Sequence, residues 1–194
     1  MEDLALNEEL KAIRQFVLDG IKAHCFEKKE FTLASGRKSD FYIDIRRISF
    51  DGSYLLDLGI LLYEEIKKLQ GVGSLIAGVP VGGLLLVSSV LCAGFIDGNP
   101  SKSVVIRKEK KPYGGENLIE PVRFLEKGIN ILIIEDVVTT GGSILKTVKS
   151  ARDEGYEVTD ALCAVDRNEG GLENLKGNGV NLHSLFSRTD IEEK

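Results

Sequence analysis

Apolar positions along the chain change period twice. From residue 5 to 26 they recur at helical spacing (Leu6, Leu10, Ile13, Val17, Ile21), which predicts an amphipathic helix. Residues 53–69 return to that period, with Leu55, Leu58, Leu62, Ile66 and Leu69 on one face and Ser53 at the capping position. Between these helices, "EFTLASGRKSDFYIDIRR" sets Thr, Phe, Tyr and Ile around "SGRKSD", which predicts a hairpin with a basic, glycine-containing turn. Beyond residue 73, short apolar runs ("SLIAGV", "SVVIR", "INILIIE", "EVTDALCAVD", "VNLHSLF") alternate with helical stretches ("GLLLVSSVLCAG", "GSILKTVKSARDEG", "GGLENLKGNG"), and Gly155 closes the second of those helices. "KEKKPYGGENLIEPV" is polar and glycine-rich and reads as a long loop. Strands that are apolar throughout and alternate with helices imply an α/β fold, a central parallel sheet flanked by helices on both faces. Ligands of such sheets bind at the carboxyl ends of the strands.

No repeat, low-complexity tract or linker interrupts the 194 residues, so a single domain over 1–194 is expected. The uncharged run 75–96, "LIAGVPVGGLLLVSSVLCAGFI", reaches the length of a membrane span. Its "GVPVGG" is a strong turn signal, so it reads as strand, tight loop and buried helix, with no membrane partner. With 43% hydrophobic residues, 28% charged residues and a net charge of −5, the composition is that of an ordinary globular protein without a general pull toward nucleic acid. Cys25, Cys92 and Cys163 stand far apart among apolar or helical residues and read as buried, reduced thiols. The opening "MEDLALNEELKAIRQF" has neither a secretory nor a transit pattern. Both features predict a cytoplasmic protein. His24 and His183 form no metal-ligand spacing with a cysteine.

The chemistry concentrates in "ILIIEDVVTTGGS", residues 131–143. Ile131 to Ile134 read as a buried strand, Glu135 and Asp136 emerge at its end, and Thr139, Thr140, Gly141, Gly142 and Ser143 form the turn into the next helix. Backbone N–H groups at a helix start attract anions, glycines let a ligand come close, and hydroxyls add donors, so this turn reads as a phosphate cradle. It has neither the lysine of a P-loop nor the spacing of a dinucleotide fingerprint. Carboxylates repel phosphate but accept hydrogen bonds from a diol, and a 5-phosphorylated ribose satisfies both halves. An acidic turn stabilising the helix dipole would account for one acid, not two.

"IIEDVVTTGGS" resembles the phosphoribosyl-pyrophosphate motif of type I phosphoribosyltransferases. "FTLASGRKSDFYID", "GVPVGG", "RKEKKPYG" and "VDRNEGG" resemble, in order and spacing, the pattern of orotate phosphoribosyltransferases, and the matches run from residue 31 to residue 171. The resemblance implies a type I phosphoribosyltransferase fold with an N-terminal helix and hairpin hood, built from residues 1–50 plus the C-terminal strand. It implies transfer of phosphoribosyl from phosphoribosyl pyrophosphate to orotate, giving orotidine 5′-monophosphate and pyrophosphate in de novo pyrimidine biosynthesis. Mg²⁺ would ride on the substrate, with no dedicated protein ligands.

Residue by residue, the resemblance puts Arg107, Lys108, Lys111 and Tyr113 on the pyrophosphate, with Lys111 the catalytic loop lysine reaching into the neighbouring subunit of a homodimer. Glu135, Asp136, Val137, Val138, Thr139, Thr140, Gly141, Gly142 and Ser143 would hold the phosphoribosyl group, with Glu135 and Asp136 taking part in catalysis. Arg167, Thr139, Phe41 and Tyr42 would meet orotate. On the residues alone, the basic loop is also a solvated loop, Arg167 a surface cap of a strand, and Phe41 and Tyr42 a core pair. Three positions depart from the family pattern: Ala34 and Gly82 stand where some members carry lysine, and Pro121 replaces a glycine. A phosphoribosyltransferase for another base, or a non-catalytic regulator that binds phosphoribosyl pyrophosphate, are the alternative readings.

Overall fold

The computed structural model describes residues 2–28, 31–32, 38–39, 41–69, 75–107, 118–121 and 126–193. The chain opens with α1 (Glu2–Gly20), which runs on as a π-helical turn over Ile21–Cys25. Four two-residue strands follow: β1 (Phe26–Glu27), β2 (Phe31–Thr32), β3 (Lys38–Ser39) and β4 (Tyr42–Ile43). Then come α2 (Arg46–Ser49), α3 (Gly52–Leu69), β5 (Leu75–Gly78), α4 (Gly82–Ile96), β6 (Lys102–Ile106) and β7 (Ile119–Glu120). The chain finishes with β8 (Ile131–Val138), α5 (Gly142–Asp153), β9 (Asp160–Asp166), α6 (Gly171–Gly177), β10 (Asn181–Ser187) and α7 (Arg188–Glu192).

The main sheet has the order β10-β9-β8-β5-β6-β7, parallel throughout except for β7, which runs antiparallel to β6. Side chains alternate faces along a strand, so one strand feeds two cores. Leu132 and Ile134 of β8 join the core under α1, α3 and α4, while Ile131 and Ile133 join the core under α5 and α6. This double burial is why the strands read as unbroken apolar runs.

Differences from the expected elements are local. The predicted loop after β6 contains β7, whose two residues are too few to show a period. The hairpin is present as β2 with β3, and a second ribbon, β1 with β4, frames it. Its turn, with Ala34, lies outside the described residues. At the other end of the chain, β10 pairs with β9 as the outer strand of the main sheet, and its Leu185 and Phe186 belong to the first core. What this end of the chain gives to the N-terminal cap is Arg188, 3.8 Å from the Phe41 ring centre.

The run 75–96 folds as strand, loop and helix, and among the described residues no helix is long and apolar enough to cross a membrane. However, α4 is not fully buried. Cys92 is exposed, contrary to expectation, and so are Val81, Phe95 and Ile96. A helix apolar on every side has more such surface than α3 and the sheet can cover. Cys25 and Cys163 are buried, and all three thiols are free.

Candidate active site

The site opens at the carboxyl ends of β5 and β8. The sequence ends the second of these strands at Ile134, but backbone pairing with β9 carries it on to Val138, with Glu135 opposite Cys163 and Val138 opposite Asp166. Glu135 and Asp136 are therefore strand residues, fixed by the sheet ladder rather than by a loop. Consecutive strand residues leave on opposite faces. Both nonetheless line one cleft of about 360 Å³, because it lies over the strand end. Glu135 is buried and Asp136 half-buried. The Val137 N–H donates to Asp136 Oδ1 at 2.9 Å, and the Asp136 N–H to Glu135 Oε1 at 3.3 Å.

The opposite wall of the cleft is the segment Val79–Gly82 that leads into α4. A Cβ on Gly82 would stand 2.1 Å from Asp136 Oδ2, so the acid lies against the first turn of α4 only because this residue is glycine.

The turn after β8 begins α5. Gly141 is its N-cap, in the left-handed region at φ 77°, where a side chain would be strained. The first turn of α5 carries no acid, so its unsatisfied N–H groups keep their pull on anions. Asn174 of α6 donates to the Thr140 carbonyl at 2.7 Å, and the Arg167 N–H to the Val138 carbonyl at 2.9 Å, so the turn is braced from two sides. Ser143 is exposed, lines the cleft and is open to a ligand.

Of the residues expected around the base, Arg167 and Phe41 touch each other and Tyr42 lines this cleft. Arg167 is 3% exposed. Its Nη2 donates to Glu169 Oε1 at 2.8 Å and to the Phe41 carbonyl at 3.0 Å, and its guanidinium centre lies 4.4 Å from the Phe41 ring centre. It is not a surface cap. Phe41 is buried at 1% exposure, whereas Tyr42 lines the cleft and donates to Asp44 Oδ2 at 3.2 Å. Of the aromatic pair, one packs and one faces the site. Burial pushes the Asp166 carboxyl up, partly offset by the Asn168 N–H that it accepts. Burial, reinforced by Asp166, Glu135 and Asp136, holds the Cys163 thiol neutral beneath the acids.

Arg107 is not in this cleft. It stands at the end of β6, paired with Glu120 at 3.0 Å, beside Lys146 and Thr147 in a separate hollow. Its N–H donates to the Leu118 carbonyl at 2.8 Å. Lys108, Lys111 and Tyr113 lie outside the described residues. Sequence reasoning passed over Asp44 and Arg46, which line the cleft with Tyr42. Their signal is the "DIRR" one residue beyond the aromatic pair.

No family model matches the chain. It is 38% identical over 173 residues to the orotate phosphoribosyltransferase of Sorangium cellulosum (strain So ce56), covering 88% of each chain. The solved orotate phosphoribosyltransferase of Mycobacterium tuberculosis H37Rv in complex with Fe(III) dicitrate superposes with a TM-score of 0.76 at 27% identity, over 93% of this chain and 99% of that one. The same enzyme in complex with 5-phospho-alpha-D-ribosyl 1-diphosphate gives a TM-score of 0.73 at 26% identity, with the same coverage.

Proposed function

The chain belongs to the orotate phosphoribosyltransferase family, and we propose that it transfers phosphoribosyl from phosphoribosyl pyrophosphate to orotate through the cleft at the end of β8. One observation carries this reading. Two strand-fixed acids stand directly before a braced, acid-free helix start, which suits a ribose diol followed by a phosphate.

In this reading the 5-phosphate sits on the N–H groups of residues 139–143 and the ribose hydroxyls donate to Glu135 and Asp136. Orotate lies by Tyr42 and Thr139, and its carboxylate is drawn to the Arg167 fork beside Phe41. The bond from the anomeric carbon to the pyrophosphate oxygen breaks, the bond from that carbon to the orotate ring nitrogen forms, and the proton of that nitrogen leaves to the departing pyrophosphate. Positive charge gathers on the ribose ring, where the two carboxylates favour it. Negative charge gathers on the departing pyrophosphate, where the loop of the neighbouring copy, with Arg107, Lys108, Lys111 and Tyr113, meets it. Mg²⁺ suits this donor set as a companion of the substrate. Glu135 and Asp136 offer carboxylate oxygens, and among the described residues no group of three or more metal-binding side chains forms a cage. When bound, the ion neutralises diphosphate charge.

The protein acts as a homodimer in the cytoplasm. The uncovered apolar face of α4, with Phe95 75% and Ile96 74% exposed, supports pairing with a second copy. Three free cysteines suit a reducing compartment. The deciding experiment mixes the protein with Mg²⁺, orotate and phosphoribosyl pyrophosphate, following orotate absorbance and product mass. Orotidine 5′-monophosphate is expected, with uracil and purine bases inert. Turnover of another base instead of orotate would overturn the assignment.

A further inference from the structure

We propose that Arg46 is the cleft's own binding cation for the diphosphate end of the sugar substrate, and that Asp44 positions it. The inference rests on the phosphoribosyl reading above. Among the described residues lining the cleft, three are acids, Asp44, Glu135 and Asp136, and Arg46 is the cation. A wall that binds only a diol would have no use for it.

Arg46 is built into place. Its Nε lies 2.7 Å from Asp44 Oδ1, its Nη2 lies 2.8 Å from Asp44 Oδ2, and its backbone N–H donates to Oδ1 at 3.1 Å. The Tyr42 hydroxyl donates to the same carboxylate. This grip holds the guanidinium in one orientation although half of its side chain, 51%, remains exposed. A fork fixed at one edge keeps its other N–H groups for an anion, and phosphoryl oxygens match that geometry.

Position selects the diphosphate over the base. The turn at 139–143 takes the 5-phosphate. Asp136 lies against Gly82, so a ribose on Asp136 rests beside the wall formed by 79–82 and 42–46. Arg167 and Phe41, the partners proposed for orotate, do not line this cleft. The remaining anionic substituent of the anomeric carbon is the diphosphate. Neither Ala34 nor Gly82 brings a charge to this chain, which leaves Arg46 as the cation among the described residues of the cleft wall.

The test compares wild type with Arg46→Gln, Arg46→Lys and Asp44→Asn. It reads KM for each substrate by steady-state kinetics and the dissociation constant of inorganic pyrophosphate by calorimetry. Arg46→Gln should raise KM for phosphoribosyl pyrophosphate and weaken pyrophosphate binding about ten- to a hundredfold, the scale of one charged hydrogen bond, while KM for orotate stays unchanged. Arg46→Lys should recover part of the loss, and Asp44→Asn should show a smaller loss in the same two constants. Unchanged pyrophosphate binding in Arg46→Gln overturns the proposal, and so does a rise confined to orotate. Should wild type fail to turn over orotate, the proposed function falls, and pyrophosphate calorimetry on wild type and Arg46→Gln still decides the role of Arg46.

Discussion

The turn at 139–143 and the cap around Phe41–Arg46 bound the same site but are held by different forces. The turn is backbone-built: the β8–β9 ladder carries it, the left-handed Gly141 shapes it, and Asn174 and the Arg167 N–H brace its carbonyls. The cap is side-chain-built. Its strands are two residues long, and its position depends on Arg167 and Arg188 against Phe41 and on Arg46 against Asp44. A backbone ladder tolerates side-chain change, whereas a cap of this kind is altered by a single substitution. The half proposed to hold the 5-phosphate thus withstands side-chain change, whereas the cap, proposed to meet the base through Phe41 and Tyr42 and the diphosphate through Arg46, is the more readily altered.

Substitutions can break this contrast. The largest effect is expected at Arg167. Arg167→Ala leaves Glu169, only 17% exposed, without the buried arginine, and should cost about 3–5 kcal/mol in urea unfolding together with a rise in KM for orotate. A loss below about 1 kcal/mol would mean that the cap does not depend on this pair. Next, Lys111→Ala should raise the barrier to turnover by about 2–4 kcal/mol, the scale of losing one preorganised donor. Mixed with the equally inactive Asp136→Asn, it should regain activity if the loop serves the neighbouring subunit, and steady-state rates of the mixture check this.

Gly141→Ala probes the backbone half. Its Cβ would meet Leu175 at 3.0 Å at a positive φ, so about 1–2 kcal/mol of stability should be lost, with KM rising for phosphoribosyl pyrophosphate and not for orotate. The smallest effect concerns pH. The hydrogen bond from Arg46 holds the Asp44 carboxyl below its ordinary value near 3.8, so the unfolded chain binds its proton first. This contribution is complete above the unfolded value and fades as pH falls through the lower folded one. In urea melts, Asp44→Asn should therefore flatten the loss of stability below about pH 4.

Much of this was readable in advance wherever geometry follows from local pattern. Ile131–Ile134 announce a strand buried on both faces, and "EDVVTTGGS" states its own chemistry because the acids and the turn are contiguous. The reach of β8 to Val138 was hidden, because polar residues at a strand end look like loop until the β9 ladder pairs with them. The brace from Asn174 and the contact of Arg167 with Phe41 join residues 34 and 126 positions apart, and no local pattern encodes them. Cys92 and Phe95 depart from the expected burial for a related reason. Apolar composition announces burial, but not whether the covering surface belongs to the same chain.

Gly82 carries a consequence for how such a site can change over generations. Some members of the family have lysine at this position, yet here the nearest atoms of Asp136 occupy the space that any side chain would enter. Introducing that lysine is not one step: Asp136 must first move, and Asp136 is one of the two acids proposed to hold the ribose. The two positions are coupled, so that a side chain at position 82 requires a coordinated change at Asp136. Chains with glycine here are therefore expected to draw their positive charge from elsewhere in the cleft, as this one does with Arg46.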